Sequence, residues 1–226
     1  MTFNGRKGGN KMTVTIQIRN EKPADYRQVE AMTQRAFWNL YTPGCVEHYV
    51  AHQIRSHSDF IPELDFVLLA GQQIIGNVMY TRAHLIAENG QTKPCLTFGP
   101  ICISPEFQRQ GFGKRLLQHS FAAAKALGED SIVIFGDPTN YVTSGLKSCL
   151  KFRVSLPDGS YPAAMLVKEL TAGALAGHHW QYQGSPAYDI DVEKAQQFNA
   201  VGTSLPKKTQ PSQEAFYIIS HATVTP

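Results

Sequence analysis

A glycine-rich segment, ISPEFQRQGFGKRLL from Ile103 to Leu117, constrains the fold of this chain more than any other part of its 226 residues. Gly111 and Gly113 stand where an apolar strand ends and an amphipathic helix begins, with Arg109 before them and Lys114 after them. Glycine allows close backbone approach, and the first turn of a helix presents N–H groups and partial positive charge. The segment therefore predicts a site for a phosphorylated ligand.

Two common phosphate-binding loops do not fit this segment. A dinucleotide fingerprint requires G-x-G-x-x-G, but Leu116 occupies the position of the third glycine. A P-loop requires glycine where Gln108 stands and serine or threonine where Arg115 stands. The ligand must therefore be inferred from the elements on either side.

The strand before the segment, Cys95–Ile103, carries Gly99-Pro100 in its middle. Proline cannot donate to a β-ladder and glycine weakens it, so the pair predicts a bulge that opens a cleft in the sheet. After the segment, a helix ending at Gly128 leads into the buried strand Ser131–Gly136.

Hydrophobic periodicity predicts the remaining elements up to Leu170. They are a strand at 14–19, helices after Pro23 and around 46–56, strands at 65–70 and 74–87, a helix from Asp137-Pro138 to about Leu150, and strands at 152–156 and 164–170.

The run Gln108–Gly113, with the bulge before it and the strand and helix after it, resembles the Q/R-x-x-G-x-G/A signature of the GCN5-related N-acetyltransferases (GNAT). The order of elements from Val14 to Leu170 is similar as well. The resemblance implies an α/β (α+β) fold with a mixed, mostly antiparallel central sheet. This sheet is expected to splay at its fourth and fifth strands, Cys95–Ile103 and Ser131–Gly136, and to be flanked by helices. The resemblance also implies acetyl transfer from acetyl-CoA to a primary amine. No metal is expected, because no carboxylate pattern accompanies His48 and His52, and the adjacent side chains of His178 and His179 diverge.

In such a fold the glycine-rich turn holds the pyrophosphate of coenzyme A, and the bulged strand offers free backbone groups to the pantetheine arm. The residues expected to bind the cofactor are Ile101, Cys102, Ile103, Gln108, Arg109, Gln110, Gly111, Phe112, Gly113, Lys114 and Asn140.

The resemblance implies that the catalytic acid is Tyr141, because family members often carry a tyrosine early in the helix after the fifth strand. The pattern GDP-x-x-Y around it resembles a bacterial subgroup of acetyltransferases of unknown substrate. Packing of the helix onto the sheet is the alternative role for this ring. The oxyanion donor is expected to be the backbone N–H of Ile101 or Cys102.

The general base stays open. Histone-type members carry a glutamate on the fourth strand, where this chain has Thr97. The alternatives are a water chain or one of four side chains, Glu63, Asp65, His84 and His48.

The aromatic-rich stretch 37–60 is expected to contact the acceptor, because the first two helices and their connection wall the acceptor site in this family. Trp38, Tyr41 and His48 are its predicted substrate-binding residues. A small-molecule amine is the favoured acceptor. Acetylation of a protein or peptide and a non-catalytic acyl-CoA sensor are the alternatives, the latter because of Thr97.

Composition sets the wider limits. The net charge of +3 argues against a nucleic-acid partner, and no apolar run approaches the length of a membrane span. Four cysteines without C-x-x-C spacing and a polar start without a signal peptide predict reduced thiols in a cytoplasmic protein.

Residues 1–11 are predicted as a disordered lead-in and 12–170 as the acetyltransferase domain. The aromatic-rich extension 171–226 is expected to pack on the domain or at a homodimer interface.

Overall fold

The computed structural model describes residues 2–7, 10–201 and 205–225 of the chain. Its ten strands are β1 (Thr2–Lys7), β2 (Asn10–Asn20), β3 (Phe66–Ala70), β4 (Gln73–Ala87), β5 (Thr92–Ile103), β6 (Ser131–Phe135), β7 (Lys147–Ser148), β8 (Val154–Ser155), β9 (Met165–Glu169) and β10 (Trp180–Gln183). Its α-helices are α1 (Tyr26–Phe37), α2 (Glu47–Ile54), α3 (Phe112–Ala126), α4 (Pro138–Tyr141), α5 (Val192–Val201) and α6 (Pro211–His221).

The strands form one sheet in the order β1-β2-β3-β4-β5-β6-β9-β7, with β10 attached to β4 and β8. Most neighbours are antiparallel, while β5 with β6 and β8 with β10 are parallel. The predicted mixed, mostly antiparallel sheet flanked by helices is confirmed.

Helices cover both faces of the sheet because successive side chains of each strand point to opposite sides. On β3, Val67 and Leu69 pack with Val29 and Met32 of α1. Leu68 belongs instead to the cluster that contains the apolar stripe of α3, Leu116, Leu117 and Phe121. The sheet therefore lies buried between α1 and α3.

The bulge predicted at Gly99-Pro100 is present. Ile101 pairs with Val78 and Phe98 with Tyr80, so two residues of β5 stand opposite one residue of β4. On its other edge, β5 pairs with β6 at Leu96 only. The two strands diverge beyond that point, which confirms the expected splay between the fourth and fifth predicted strands, now β5 and β6.

The predicted disorder of residues 1–11 is wrong for Thr2–Lys7, which form β1; residues 1, 8 and 9 lie outside the described residues. Asn10–Thr15 of β2 extend beyond the part of β2 that pairs with β3, and β1 supplies their backbone partners. An exposed strand edge favours such pairing.

The helix predicted from Pro138 to about Leu150 is also wrong beyond Tyr141. A short 3-10 turn follows, and Gly145 then adopts a φ of +89°, a left-handed conformation that ends a helix. The chain next forms β7, whose backbone groups pair with β9.

The sheet continues past the predicted domain boundary at residue 170. In the extension, β10 pairs antiparallel with β4, and Trp180 is buried against the sheet. Among the helices in the described ranges, none has the combination of length and apolar character that crossing a membrane requires.

Candidate active site

Two adjoining cavities, of about 450 Å³ and 280 Å³, occupy the cleft where β5 and β6 diverge. We call the larger the basic cavity, because Arg109 and Lys114 line it, and the smaller the aromatic cavity. Five side chains line both and mark their junction: Phe37, Tyr41, Ile101, Tyr141 and Phe216.

The start of α3 forms one end of the basic cavity. Gly111 caps this helix with a φ of +83°, a conformation that favours glycine, and no side chain caps the first turn. Gly113 lies close to β5, since a Cβ added there would be 3.7 Å from Ile103 Cγ1. N–H groups of a first helical turn, the helix dipole and two cations together favour an anion at this end.

The structure brings all the predicted cofactor-binding residues except Gln110 to the basic cavity. Gln110 instead donates from Nε2 to the carbonyl oxygen of Glu106 at 3.2 Å. Gln108 lines the cavity and ties the turn to the end of β5, because its Nε2 lies 3.0 Å from the Ile103 oxygen. Cys102 Sγ lies 3.4 Å from Thr33 Oγ1, on the α1 side of the sheet.

Tyr141 lies at the junction of the two cavities because a tight turn directs it there. Asp137 caps the turn, accepting from the N–H of Thr139 at 2.9 Å. The Tyr141 ring packs against Phe98 at 5.9 Å between centroids and closely against Gly136. Burial, and then the proximity of Tyr41 and Asp137, raise the pKa of the Tyr141 phenol, which therefore stays protonated near neutral pH.

Most residues that line the aromatic cavity are aromatic or aliphatic, and among the described residues the one acid in its lining is Glu47, in the first turn of α2. Glu47 Oε2 accepts from the Val46 N–H at 3.0 Å. Burial raises the pKa of this carboxyl more than the backbone hydrogen bonds lower it. Burial, with Glu47 and Asp137 nearby, also raises the pKa of Tyr41 to about 12.

The C-terminal extension supplies further walls of the cleft. Phe216 of α6 stacks on Tyr41 with ring centroids 4.2 Å apart and lines both cavities. Tyr188 lines the aromatic cavity, and its hydroxyl donates to the Gly99 oxygen at 3.1 Å. From the sequence, the extension could be described only as rich in aromatic residues. The sequence also did not distinguish Glu47 from an ordinary helix-capping acid.

Of the three predicted acceptor-binding residues, Tyr41 is the one that lines these cavities. Trp38 binds the extension, donating from Nε1 to the Pro206 oxygen at 3.1 Å. His48 is buried, with Nδ1 3.4 Å from Cys45 Sγ and its ring against Phe198.

The four side chains considered as general base do not line either cavity. Glu63 and His84 are exposed on the surface. Asp65 is buried and accepts from Asn77 Nδ2 at 3.0 Å, and burial together with nearby Glu21 raises its pKa to about 9. In the described ranges, no three His, Cys, Asp or Glu side chains cluster as metal ligands.

The four cysteines are buried and unbridged. Burial raises the thiol pKa of Cys102 to about 11 and that of Cys45 to about 12. Neither thiol is therefore ionised to a useful extent near neutral pH.

Comparison with known proteins relates this site to one family. Residues 32–143 match the family model described as the acetyltransferase (GNAT) family. The uncharacterized N-acetyltransferase YjhQ of Escherichia coli K12 is 25% identical over 109 residues, which are 48% of this chain and 56% of YjhQ. This chain therefore spans just over half the length of that relative.

Several solved structures share the fold, and two of them contain CoA or acetyl-CoA. The GNAT family N-acetyltransferase YhbS of Escherichia coli, in complex with CoA, superposes with a TM-score of 0.68 at 18% identity, covering 81% of this chain and 97% of YhbS. A GNAT family acetyltransferase from Brucella melitensis, in complex with acetyl-CoA, gives a TM-score of 0.59 at 19% identity. The superposition covers 77% of this chain and 99% of the Brucella melitensis chain.

Proposed function

We propose that the chain is a member of the GNAT acetyltransferase family and that it transfers an acetyl group from acetyl-CoA to a primary amine of a small molecule. The observation that carries this proposal is the basic cavity. It gathers the residues of the glycine-rich motif around one space, and that space opens onto a protonated tyrosine, Tyr141.

The residues of the basic cavity fit coenzyme A in both charge and shape. The first turn of α3, with Arg109 and Lys114, suits a pyrophosphate. In the part of the chain that the structure describes, β5 pairs with β6 at Leu96 alone. Beyond that point its backbone can hydrogen-bond an extended arm, except at the Gly99 oxygen, which already accepts from Tyr188. The complexes of YhbS with CoA and of the Brucella melitensis protein with acetyl-CoA support this assignment.

Acetyl-CoA, when bound, supplies a thioester carbonyl that an amine can attack, with release of the thiol. Tyr141 stands where the two cavities meet, and we assign to it the proton that the departing sulfur takes. The N–H of Ile101 or Cys102 at the bulge is assigned to the developing oxyanion.

The arrangement of the two cavities supports direct attack in a ternary complex. They adjoin, so donor and acceptor can be bound together. Burial raises the pKa of the Cys45 and Cys102 thiols, which disfavours an acetylated cysteine as an intermediate. The aromatic cavity has a volume of about 280 Å³, which favours a small acceptor over a protein segment.

The proposal is tested by measuring acetyl-CoA-dependent thiol release with a panel of amines and peptides. Acceleration by small amines supports the proposal. Acceleration by peptides alone would favour the alternative of protein or peptide acetylation. If acetyl-CoA binds and no acceptor accelerates thiol release, the non-catalytic sensor is favoured and the enzymatic proposal is wrong.

Replacing Lys114 by Ala is expected to raise KM for acetyl-CoA about fivefold with little change in kcat, because an exposed charge contributes about 1 kcal/mol to binding a phosphate. Lys125→Ala, at the other end of the same helix, is the matched control, since Lys125 is also exposed and lies outside both cavities. Steady-state kinetics over a range of acetyl-CoA concentrations measures both. Equal effects of the two substitutions would contradict a phosphate site at the start of α3.

A further inference from the structure

Charged side chains are segregated along the cleft. The basic cavity carries two cations, Arg109 and Lys114, together with the carboxylate of Asp137. The aromatic cavity, as lined by the described residues, carries Glu47 and no lysine, arginine or histidine. A ligand that fills the aromatic cavity thus meets one negative charge and no positive one.

Glu47 is placed to act on a ligand in the aromatic cavity. Glu47 is one of the residues that line the cavity, and one oxygen of its carboxylate accepts from the Val46 N–H at 3.0 Å. A carboxylate accepts through two oxygens, so further acceptor sites remain for a donor from the ligand. None of the ion pairs among the described residues includes Glu47, and a half-buried carboxylate in that state favours a cationic partner, because burial of an unpaired charge is costly.

Apart from Thr97 and the tyrosine hydroxyls, the rest of the cavity wall is apolar, and rings dominate it. Phe37, Phe98 and Phe135 of the domain face this space, with Tyr188 and Phe216 of the C-terminal extension. The extension is held in place here: Gln53 Nε2 donates to the oxygens of Ala187 and Asp189 at 2.7 and 2.9 Å. Aromatic walls favour a ring in offset or edge-to-face packing.

We infer that the acceptor is an arylalkyl primary amine without a carboxylate, with its ammonium bound by Glu47 and its ring packed among Phe98, Tyr188 and Phe216. This inference rests on the proposed acetyl transfer and specifies the substrate class of the same site. Among the described residues that line the aromatic cavity, a second ammonium, as in a polyamine, would find no further carboxylate, and the carboxylate of an amino acid would find no cation.

The assignment also supplies the missing general base. The bound ammonium gives one proton to Glu47, and the lone pair of the neutral amine forms the C–N bond while the C–S bond of the thioester breaks. Tyr141 gives its proton to the departing sulfur and recovers one from the new amide nitrogen. Glu47 releases its proton to solvent, so the products are the N-acetylated amine, the free thiol and one proton.

Thiol release with phenethylamine and tyramine, compared with phenylalanine, spermidine and a peptide with a free N-terminus, tests the inference. We expect kcat/KM at least tenfold higher for the two arylalkyl amines than for the other three acceptors, because each of those leaves a charge or a polar group unpaired in the cavity. Titration calorimetry of phenethylamine into the protein saturated with CoA provides a second measurement, which does not depend on turnover.

Glu47→Gln tests the role of the carboxylate. This variant keeps an oxygen for the Val46 N–H and removes the charge, so we expect kcat/KM for phenethylamine to fall about 10- to 100-fold while affinity for CoA is unchanged. Glu47→Asp should recover part of the loss, which a purely structural role would not predict. Glu63→Gln, on an exposed side chain away from both cavities, is the control.

The outcomes separate this inference from the proposed function. Transfer to spermidine, phenylalanine or the peptide in preference to the arylalkyl amines overturns the inference and leaves acetyl transfer in place. Unchanged kinetics and amine binding in Glu47→Gln also overturn it. Bound acetyl-CoA with no acceptor accelerating thiol release and no binding of phenethylamine overturns both.

Discussion

Replacing Tyr141 by Phe is expected to lower kcat by about 10²- to 10⁴-fold, the usual contribution of a positioned general acid. The substitution removes one hydroxyl and keeps the ring that packs on Phe98, so the fold and the basic cavity should stay as they are. Burial raises the pKa of this phenol, which keeps it protonated and able to donate. Single-turnover kinetics, with calorimetry of CoA binding, measures the two quantities separately.

Two further variants make the Tyr141 result specific. Tyr41→Phe removes the other tyrosine hydroxyl at the junction of the cavities, and a larger loss in that variant would assign the acid to Tyr41 instead. Tyr217→Phe, on the exposed face of α6, should change neither kcat nor CoA affinity. If Tyr141→Phe turns over as fast as the unaltered protein, the ring only packs the turn onto the sheet and the proposed acid is wrong.

Gly136→Ala is expected to reduce activity by a comparable factor and to destabilise the fold by about 1–3 kcal/mol, the usual cost of overpacking. A Cβ at position 136 would lie 2.5 Å from Tyr141 Cε2 and 3.3 Å from two more atoms of that ring. The ring must move to relieve this contact, which takes the hydroxyl away from the junction. The φ of Gly136 is not positive, so the effect should come from the clash and not from the backbone.

A double-mutant cycle tests that explanation. In the background of Tyr141→Ala, which has no ring to displace, Gly136→Ala should cost much less stability by thermal or denaturant unfolding. Gly184→Ala is the matched control, because its added Cβ would make only ordinary contacts of 3.4 Å with Tyr182. An equal cost of Gly136→Ala in both backgrounds would show that the Tyr141 ring is not what excludes a side chain at position 136.

Much of the fold could be predicted because its signals are local. The glycine-rich turn, the bulge at Gly99-Pro100 and the apolar stripe of α3 each depend on residues close together in the chain. The errors came where a distant partner decided the conformation. β1 forms because β2 has unpaired backbone groups to offer, and the predicted long helix after Pro138 stops because the chain leaves it to pair with β9.

The candidate site likewise has one part that the sequence predicted and one part that depends on distant residues. The basic cavity was largely predictable, since Gln108 to Lys114 form one continuous turn whose role follows from glycine conformation and helix-end electrostatics. Gln110, which donates to the Glu106 oxygen and does not line the basic cavity, shows that spacing along a turn does not decide which side chain faces the cavity.

By itself, the sequence determined a glycine-rich turn at a helix start beside an opened sheet, a geometry suited to an anion, because short-range backbone conformation specifies such a turn. Only the tertiary structure decided the aromatic cavity, which we propose as the acceptor side. Its walls come from α1, the start of α2, the bulged strand and the C-terminal extension, and Glu47, Tyr188 and Phe216 are far apart in the chain. No local pattern in the sequence predicts that these three residues line one cavity, because the packing of whole elements brings them together.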